Sequence, residues 1–301
     1  MAGEKRTVRS DRSTGGTYRR DANVYIARCP WTSGNPMLLD RFSGALLGVA
    51  VGDMVGAPYE GMTRYEMWER HGKVSGPLIP MVTDDTEMTL AVARSVCRMG
   101  RVVPADLAAE FVRWFQLRPA TVGRTTFIAL QLLEEGVPWD EAGPRTAEML
   151  GGHVTGNGPL MRCAPVALYA ANDPHLLAVC SEDVTMLTHA GRTCVDATFA
   201  LCTCLAAILL DGREEALASL DGRLVGRDRR VVRAVGRGVA GRFPGGRLPL
   251  VISTLQTAIA ALATTSTFVD AVLLAVNRGG DTDTNGSVTG ALAGAAYGRT
   301  A

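Results

Sequence analysis

The chain has 301 residues, 47% of them hydrophobic, enough to fill a sizeable core without external staples. Lys and Arg total 31 against 30 Asp and Glu, so a formal charge of +1 gives no global reason for a polyanionic partner, and nucleic acid is not favoured. Seven cysteines, odd in number and without CxxC or Cys/His ligand spacing, point to reduced thiols in a cytoplasmic protein.

Residues 1–36 are polar and basic, with Lys5, Arg6, Arg9, Arg12, Arg19 and Arg20 but no apolar segment of the kind a secretory signal needs. They end in Ser33-Gly34-Asn35-Pro36 and read as an extension preceding a domain over residues 37–301. From Met37 onward apolar residues recur at helical spacing: Leu46, Val49, Ala50 and Met54; Leu90, Val92, Ala93 and Val96; Leu107, Phe111, Val112 and Phe115; Ile128, Leu130, Leu132 and Leu133. Further helices are predicted near 160–171, 175–187, 192–210, 252–263, 268–276 and 284–298. No run alternates β-branched residues as a strand does, so the expected class is all-α, a compact multi-helix single domain. Two long uncharged stretches, Ala197–Leu210 and Val251–Val269, are read as buried helices rather than membrane spans, the first being short and the second rich in Ser and Thr. Residues 223–247, dense in Arg and Gly, are expected to form a solvated, partly mobile surface.

Chemistry concentrates in three segments. Thr83-Asp84-Asp85-Thr86-Glu87 precedes the apolar run from Met88 to Val96, placing two carboxylates and a hydroxyl at a helix N-terminus. Alone it also suits capping, with Asp84 and Glu87 spaced as a cap and its partner. Gly279-Gly280-Asp281-Thr282-Asp283-Thr284-Asn285 repeats the pattern before the last helix. Two oxygen-only clusters with hydroxyls suit a hard cation such as Mg²⁺, and Mn²⁺ fits as well. The second cluster opens like an EF-hand loop, but Leu292 stands where that loop needs a bidentate Glu. It also resembles a haloacid-dehalogenase nucleophile motif, yet only 17 residues follow Thr284, too few for the domain that motif opens. The third segment, Gly44 to Glu60, carries glycines four apart, which give a smooth helix face for tight packing, interrupted by Asp53.

These segments, with Gly156-Asn157-Gly158-Pro159-Leu160-Met161-Arg162 and Leu187-Thr188-His189-Ala190, occur in an order that closely resembles the ADP-ribosylglycohydrolase family over about residues 40–299. The resemblance implies two divalent ions, usually Mg²⁺, held by Thr83, Asp84, Asp85, Asp281, Asp283 and Thr284. It implies a catalytic part for Glu60, Asp85 and Asp283, and an ADP-ribose pocket lined by Gly156, Asn157, Gly158 and His189. A glycine-rich turn before a helix offers free N–H groups to a diphosphate, while His189 taken alone reads as a satisfied core histidine. The reaction implied is hydrolysis of the bond from the distal ribose to a protein side chain, most commonly arginine. Carboxylates would stabilise the oxocarbenium-like charge, and the attacking water would be activated by a metal or by Glu60. One segment departs from the nitrogenase-type members, which carry Asp-x-Gly-Asn where this chain reads Thr121-Val122-Gly123-Arg124. The implied partner is an ADP-ribosylated protein. A second reading makes the chain an immunity protein against an ADP-ribosyltransferase toxin, bound through the extension with Tyr18, Tyr25 and Trp31. No membrane partner is expected.

Overall fold

The computed structural model describes residues 35–245, 248 and 250–300. Residues 1–34 of the basic extension, and the toxin-binding expectation placed on them, lie outside the described residues, whereas Asn35 and Pro36 are the N-cap and first residue of the first helix. In chain order the helices are α1 (Pro36–Gly56), α2 (Arg64–His71), α3 (Asp84–Met99), α4 (Pro104–Gln116), α5 (Arg124–Glu134), α6 (Trp139–Met149), α7 (Gly158–Arg162) and α8 (Ala164–Ala170). They continue with α9 (Pro174–Met186), α10 (Arg192–Asp211), α11 (Arg213–Ser219), α12 (Arg229–Val239), α13 (Leu250–Thr264), α14 (Phe268–Val276) and α15 (Thr282–Tyr297). Among the described residues the sole β element is an isolated bridge between Thr63 and Gly279. The all-α expectation therefore holds.

The central pair is α1 against α15. Gly44, Gly48, Gly52 and Gly56 form one face of α1, each a helical turn from the next. A Cβ added to them would stand 2.3 Å from the Gly294 carbonyl oxygen, 2.0 Å from that of Gly290, 2.0 Å from that of Gly286 and 2.1 Å from that of Thr282. One number rises as the other falls, so the helices run antiparallel with their backbones in contact. Only glycine permits that approach. Its consequence is positional: the C-terminal end of α1 lies beside the N-terminal end of α15, where Thr282 Oγ1 donates to the Gly56 carbonyl at 2.8 Å.

The core is completed by α10 and α13, whose residues Ala197, Leu201, Leu205, Ile208, Val251, Leu255, Ile259 and Leu262 are buried. Helix α10 has the length and hydropathy of a membrane span, but 89% of that apolar window is enclosed by the rest of the protein. Two sequence expectations need correction. The helix predicted over 160–171 is two short helices, because Pro165 cannot continue α7: it lacks an N–H and its ring collides with the preceding turn. The Arg-rich region is not a loosely held surface throughout. Its centre is α12, capped by Asp228 and burying Val231, Ala234, Val235 and Gly238 at helical spacing, with Arg229, Arg233 and Arg237 left outside.

Candidate functional site

Asp53, on the inner face of α1 and fully buried, organises the first cluster. Its Oδ2 accepts from the backbone N–H groups of Thr83 at 2.9 Å and Thr86 at 3.1 Å, and from Thr86 Oγ1 at 2.5 Å; its Oδ1 accepts from Thr83 Oγ1 at 2.9 Å. A carboxylate that absorbs four donors at a helix start replaces the usual solvent cap and favours negative charge there. Asp84 is therefore not the cap. Thr83 is the N-cap of α3, accepting from the Asp85 N–H at 3.3 Å, and Asp84 and Asp85 occupy the first turn with their side chains released for other work. Asp53 was read in the sequence only as an interruption of a packing face. Its signal was a lone carboxylate in an otherwise small and apolar helix face, a buried charge that must have partners.

The second cluster starts α15, with Asp281 as its N-cap and Asp283 and Thr284 in the first turn. The turn before it needs Gly279 at φ +74, where a Cβ would stand 2.4 Å from the Arg64 nitrogen. Paired bonds, Gly61 N–H to the Gly280 carbonyl at 2.8 Å and Gly280 N–H to the Met62 carbonyl at 2.7 Å, fasten this turn to the segment that carries Glu60. Asn157 ties in a third element, donating to Asp281 Oδ2 at 2.8 Å and Thr254 Oγ1 at 2.9 Å. The clusters touch directly: Thr284 Oγ1 donates to Asp85 Oδ1 at 3.4 Å, across 199 residues of sequence.

Packing this many carboxylates together is electrostatically unfavourable. Burial raises the proton affinity of Asp85 well above the ordinary carboxylate range, and Asp283, Asp53, Asp84 and Asp281 raise it further. Asp283 is likewise raised, by burial and then by a shared hydrogen bond with Asp281. Asp84 is pushed up to about 6 by burial, against the hydroxyl of Thr121, which donates to it at 2.9 Å and favours its charge. Glu60, exposed at the rim, is raised by burial, Asp281 and Asp53. Asp85 Oδ2 is buried and has no hydrogen-bond partner among the described residues. A hard cation would relieve both the repulsion and this orphaned oxygen, and the donor set of carboxylate and hydroxyl oxygens fits one. Among the described residues no three Asp, Glu, His or Cys side chains form a ready-made cage.

Asp84, Asp85, Asp281 and Asp283 open onto one cleft of about 510 Å³, which Glu60, Thr121, Arg124, Thr126, Leu250 and His189 also line. The Gly156-Asn157-Gly158 turn forms part of its wall. A Cβ on Gly156 would stand 2.7 Å from His189 Nε2, and one on Gly158 would stand 3.2 Å from His189 Cε1, so these glycines let the ring approach the cleft. His189 is 2% exposed, and burial, with Arg162 nearby, keeps it neutral. A larger hollow of about 640 Å³ between α2, α13 and α14 contains none of the cluster residues. The convergence of titratable groups marks the smaller cleft as the site.

Comparison with known proteins agrees with this geometry. A model of the ADP-ribosylglycohydrolase family matches residues 34–301. The chain is 34% identical to the ADP-ribosyl-[dinitrogen reductase] glycohydrolase of Rhodospirillum rubrum over 87% of each chain. It is 31% identical to the ADP-ribosylarginine hydrolase Tri1 of Serratia proteamaculans (strain 568), over 86% of this chain and 72% of that one. A solved structure described as an ADP-ribosylglycohydrolase-related protein complex superposes with a TM-score of 0.73 at 34% identity, covering 88% of this chain and 90% of that one. With the paired aspartate clusters, the helical frame that joins them and a match running almost the full length of the described domain, the chain belongs to the ADP-ribosylglycohydrolase family of enzymes.

Proposed function

We propose that the protein hydrolyses the N-glycosidic bond between ADP-ribose and an arginine side chain of a modified protein, using two Mg²⁺ ions held between the aspartate clusters. The observation that carries the metal is Asp85 Oδ2, a buried carboxylate oxygen without a partner, set among Asp53, Asp84, Asp281 and Asp283. The arginine linkage is supported by the relatives, one of which is named as an ADP-ribosylarginine hydrolase. Thr83, Asp84, Asp85, Asp281, Asp283 and Thr284 would hold the ions, and Mn²⁺ suits the same oxygens. When bound, such ions supply concentrated positive charge that orients ribose hydroxyls and favours the ionisation of water.

The chain's own residues account for the remaining steps. The Gly156–Gly158 turn and His189 bound the part of the cleft that would receive the ADP-ribose body. Glu60, at the rim with a raised proton affinity, accepts the proton of the water that adds to C1. As the C1–N bond breaks, its electron pair stays on the guanidine nitrogen, which receives the proton collected at Glu60. Positive charge growing on the ribose is met by the carboxylates of Asp85 and Asp283. The products are ADP-ribose and unmodified arginine, and atoms and charge balance.

The test is release of free ADP-ribose from an ADP-ribosyl-arginine protein with Mg²⁺, set beside serine-linked and nucleobase-linked conjugates. Release should stop with chelator and with Asp281→Ala/Asp283→Ala. Continued release by the double variant overturns the metal centre, and preference for another conjugate overturns the linkage.

A further inference from the structure

Among the described residues Arg162 is the bulkiest fully buried side chain, and no carboxylate pairs directly with it. Its guanidinium lies 4.8 Å from the centroid of the Phe111 ring and donates to the Val184 carbonyl at 3.2 Å and to Thr188 Oγ1 at 2.6 Å. Asp84 attracts it electrostatically without pairing directly, but a buried cation with no carboxylate bonded to it is costly, and its Nε has no partner among the described residues. Burial pulls its proton affinity down to about 10, which leaves it charged at neutral pH. Such a charge calls for a reason, and its position supplies one: an added Cβ on Gly158, in the cleft wall, would stand 3.7 Å from Arg162 Nη1.

The Thr188 hydroxyl has one proton to place. Thr188 is fully buried and its hydroxyl touches two groups, Arg162 Nη2 at 2.6 Å and His189 Nδ1 at 2.7 Å. Arginine has donors only, so it must occupy a lone pair of the threonine oxygen. The single hydroxyl proton then has His189 Nδ1 as its acceptor. Were Nδ1 to carry the proton instead, Oγ1 would face two donors and its own hydrogen would be buried without an acceptor, at the full desolvation cost.

We propose that Arg162 and Thr188 are positioning residues that hold His189 as the Nε2–H tautomer, aiming a neutral N–H donor into the cleft at an anionic oxygen of the ADP-ribose diphosphate. The buried guanidinium stands behind that donor as the counter-charge to the diphosphate. The ligand, though not the tautomer, rests on the proposal that the cleft takes ADP-ribose.

Long-range ¹H–¹⁵N correlation of the full chain labelled at histidine reads the tautomer directly, with the His189 signal identified among four histidines by its loss in His189→Asn. Wild type and Thr188→Ser should show Nε2–H, and Thr188→Val should lose that preference. Affinity for ADP, which carries the diphosphate, should fall about tenfold or more in Thr188→Val and be retained in Thr188→Ser, whereas adenosine should bind wild type and Thr188→Val alike. An Nδ1–H or doubly protonated wild-type ring overturns the proposal, as does an equal loss for adenosine. If Thr188→Val does not fold, the wild-type spectrum still decides the tautomer, and His189→Asn against Thr188→Ser decides the ligand contrast. Absence of ADP binding to wild type sinks the assigned ligand and the cleft assignment together, while the spectrum judges the tautomer separately.

Discussion

The first aspartate cluster hangs on a side chain: four hydrogen bonds from Thr83 and Thr86 converge on Asp53, and the start of α3 follows from them. The second has lone side-chain ties from Asn157 and Thr282 but is set chiefly by backbone, with α15 laid against the glycine face of α1 and its leading turn bonded to the segment that carries Glu60. A polar anchor can be loosened locally, since each bond contributes about 1 kcal/mol and neighbours can adjust. A backbone contact with no room for a methyl group cannot be adjusted without moving the helices. Altering the second support should therefore cost the fold, and altering the first should cost the site.

The largest effect is expected at the glycine seam. Gly52→Val puts a branched side chain where a Cβ already stands 2.0 Å from the Gly286 carbonyl oxygen, and should destabilise the protein by about 3 kcal/mol or more. Gly76→Ala, with nothing within 4 Å of its Cβ, is the control and should leave the melting temperature near wild type. Equal melting temperatures for the two would show that α1 and α15 do not rely on close approach. Next is Asp53→Ala, which strands the N–H groups of Thr83 and Thr86 and should destabilise by about 1–3 kcal/mol. Unlike the glycine change it should leave a folded protein by circular dichroism, with Mg²⁺ affinity and ADP-ribose release lost by at least an order of magnitude, about the loss expected when a residue supporting ligands is removed.

The two supports also explain which features were legible in the amino-acid sequence. Whereas Glu60 and the Gly156–Gly158 turn were assigned through the resemblance to the family, both clusters were identifiable because their chemistry is local, a run of oxygen donors with turn residues beside it. Helix positions were readable for the same reason, from Arg192–Asp211 to Phe268–Val276. Asp53 was not, because its partners lie 30 and 33 residues away and nothing local distinguishes a clamp from an interruption. Helix α12 was hidden by its composition: arginine and glycine suggest loose chain, and only the spacing of Val231, Ala234, Val235 and Gly238 shows a buried stripe. Asn157, expected in the ADP-ribose pocket, lines the cleft, and its tie through Nδ2 to Asp281 and Thr254, 124 and 97 residues away, had no local signal.

A smaller effect separates the clusters from their supports by pH. Without metal, Asp84 has a folded pKa of about 6 against an ordinary 3.8, and Asp85 and Asp283 are raised as well. At these three carboxylates the folded state then binds more protons than the unfolded chain, so their contribution to stability is fully present below 3.8 and is lost as pH rises through 6 and above. Melting temperatures in chelator should show that decline, and saturating Mg²⁺ should flatten it by binding the charged carboxylates. An unchanged slope with Mg²⁺ would place the ions elsewhere.

The smallest effect is expected at Thr121, where this chain departs from the nitrogenase-type pattern. Its hydroxyl donates to Asp84 Oδ1 and is the main influence favouring charge on that carboxylate. An aspartate there would add a further negative group to the cleft, so the exchange for threonine lowers the repulsion while giving up a metal-seeking or basic carboxylate. Thr121→Ala removes the donor alone, and with it about 1 kcal/mol of preference for ionised Asp84, a fewfold loss of Mg²⁺ affinity at neutral pH. That loss should shrink as pH rises well above 6, where Asp84 is ionised with or without the bond. Thr121→Asp should also raise the proton affinity of Asp84 in chelator but, by adding a carboxylate to the cleft, should tighten Mg²⁺ instead of weakening it. Calorimetric titration of both variants at two pH values distinguishes a tuned first cluster from a cleft wall that the metal does not feel.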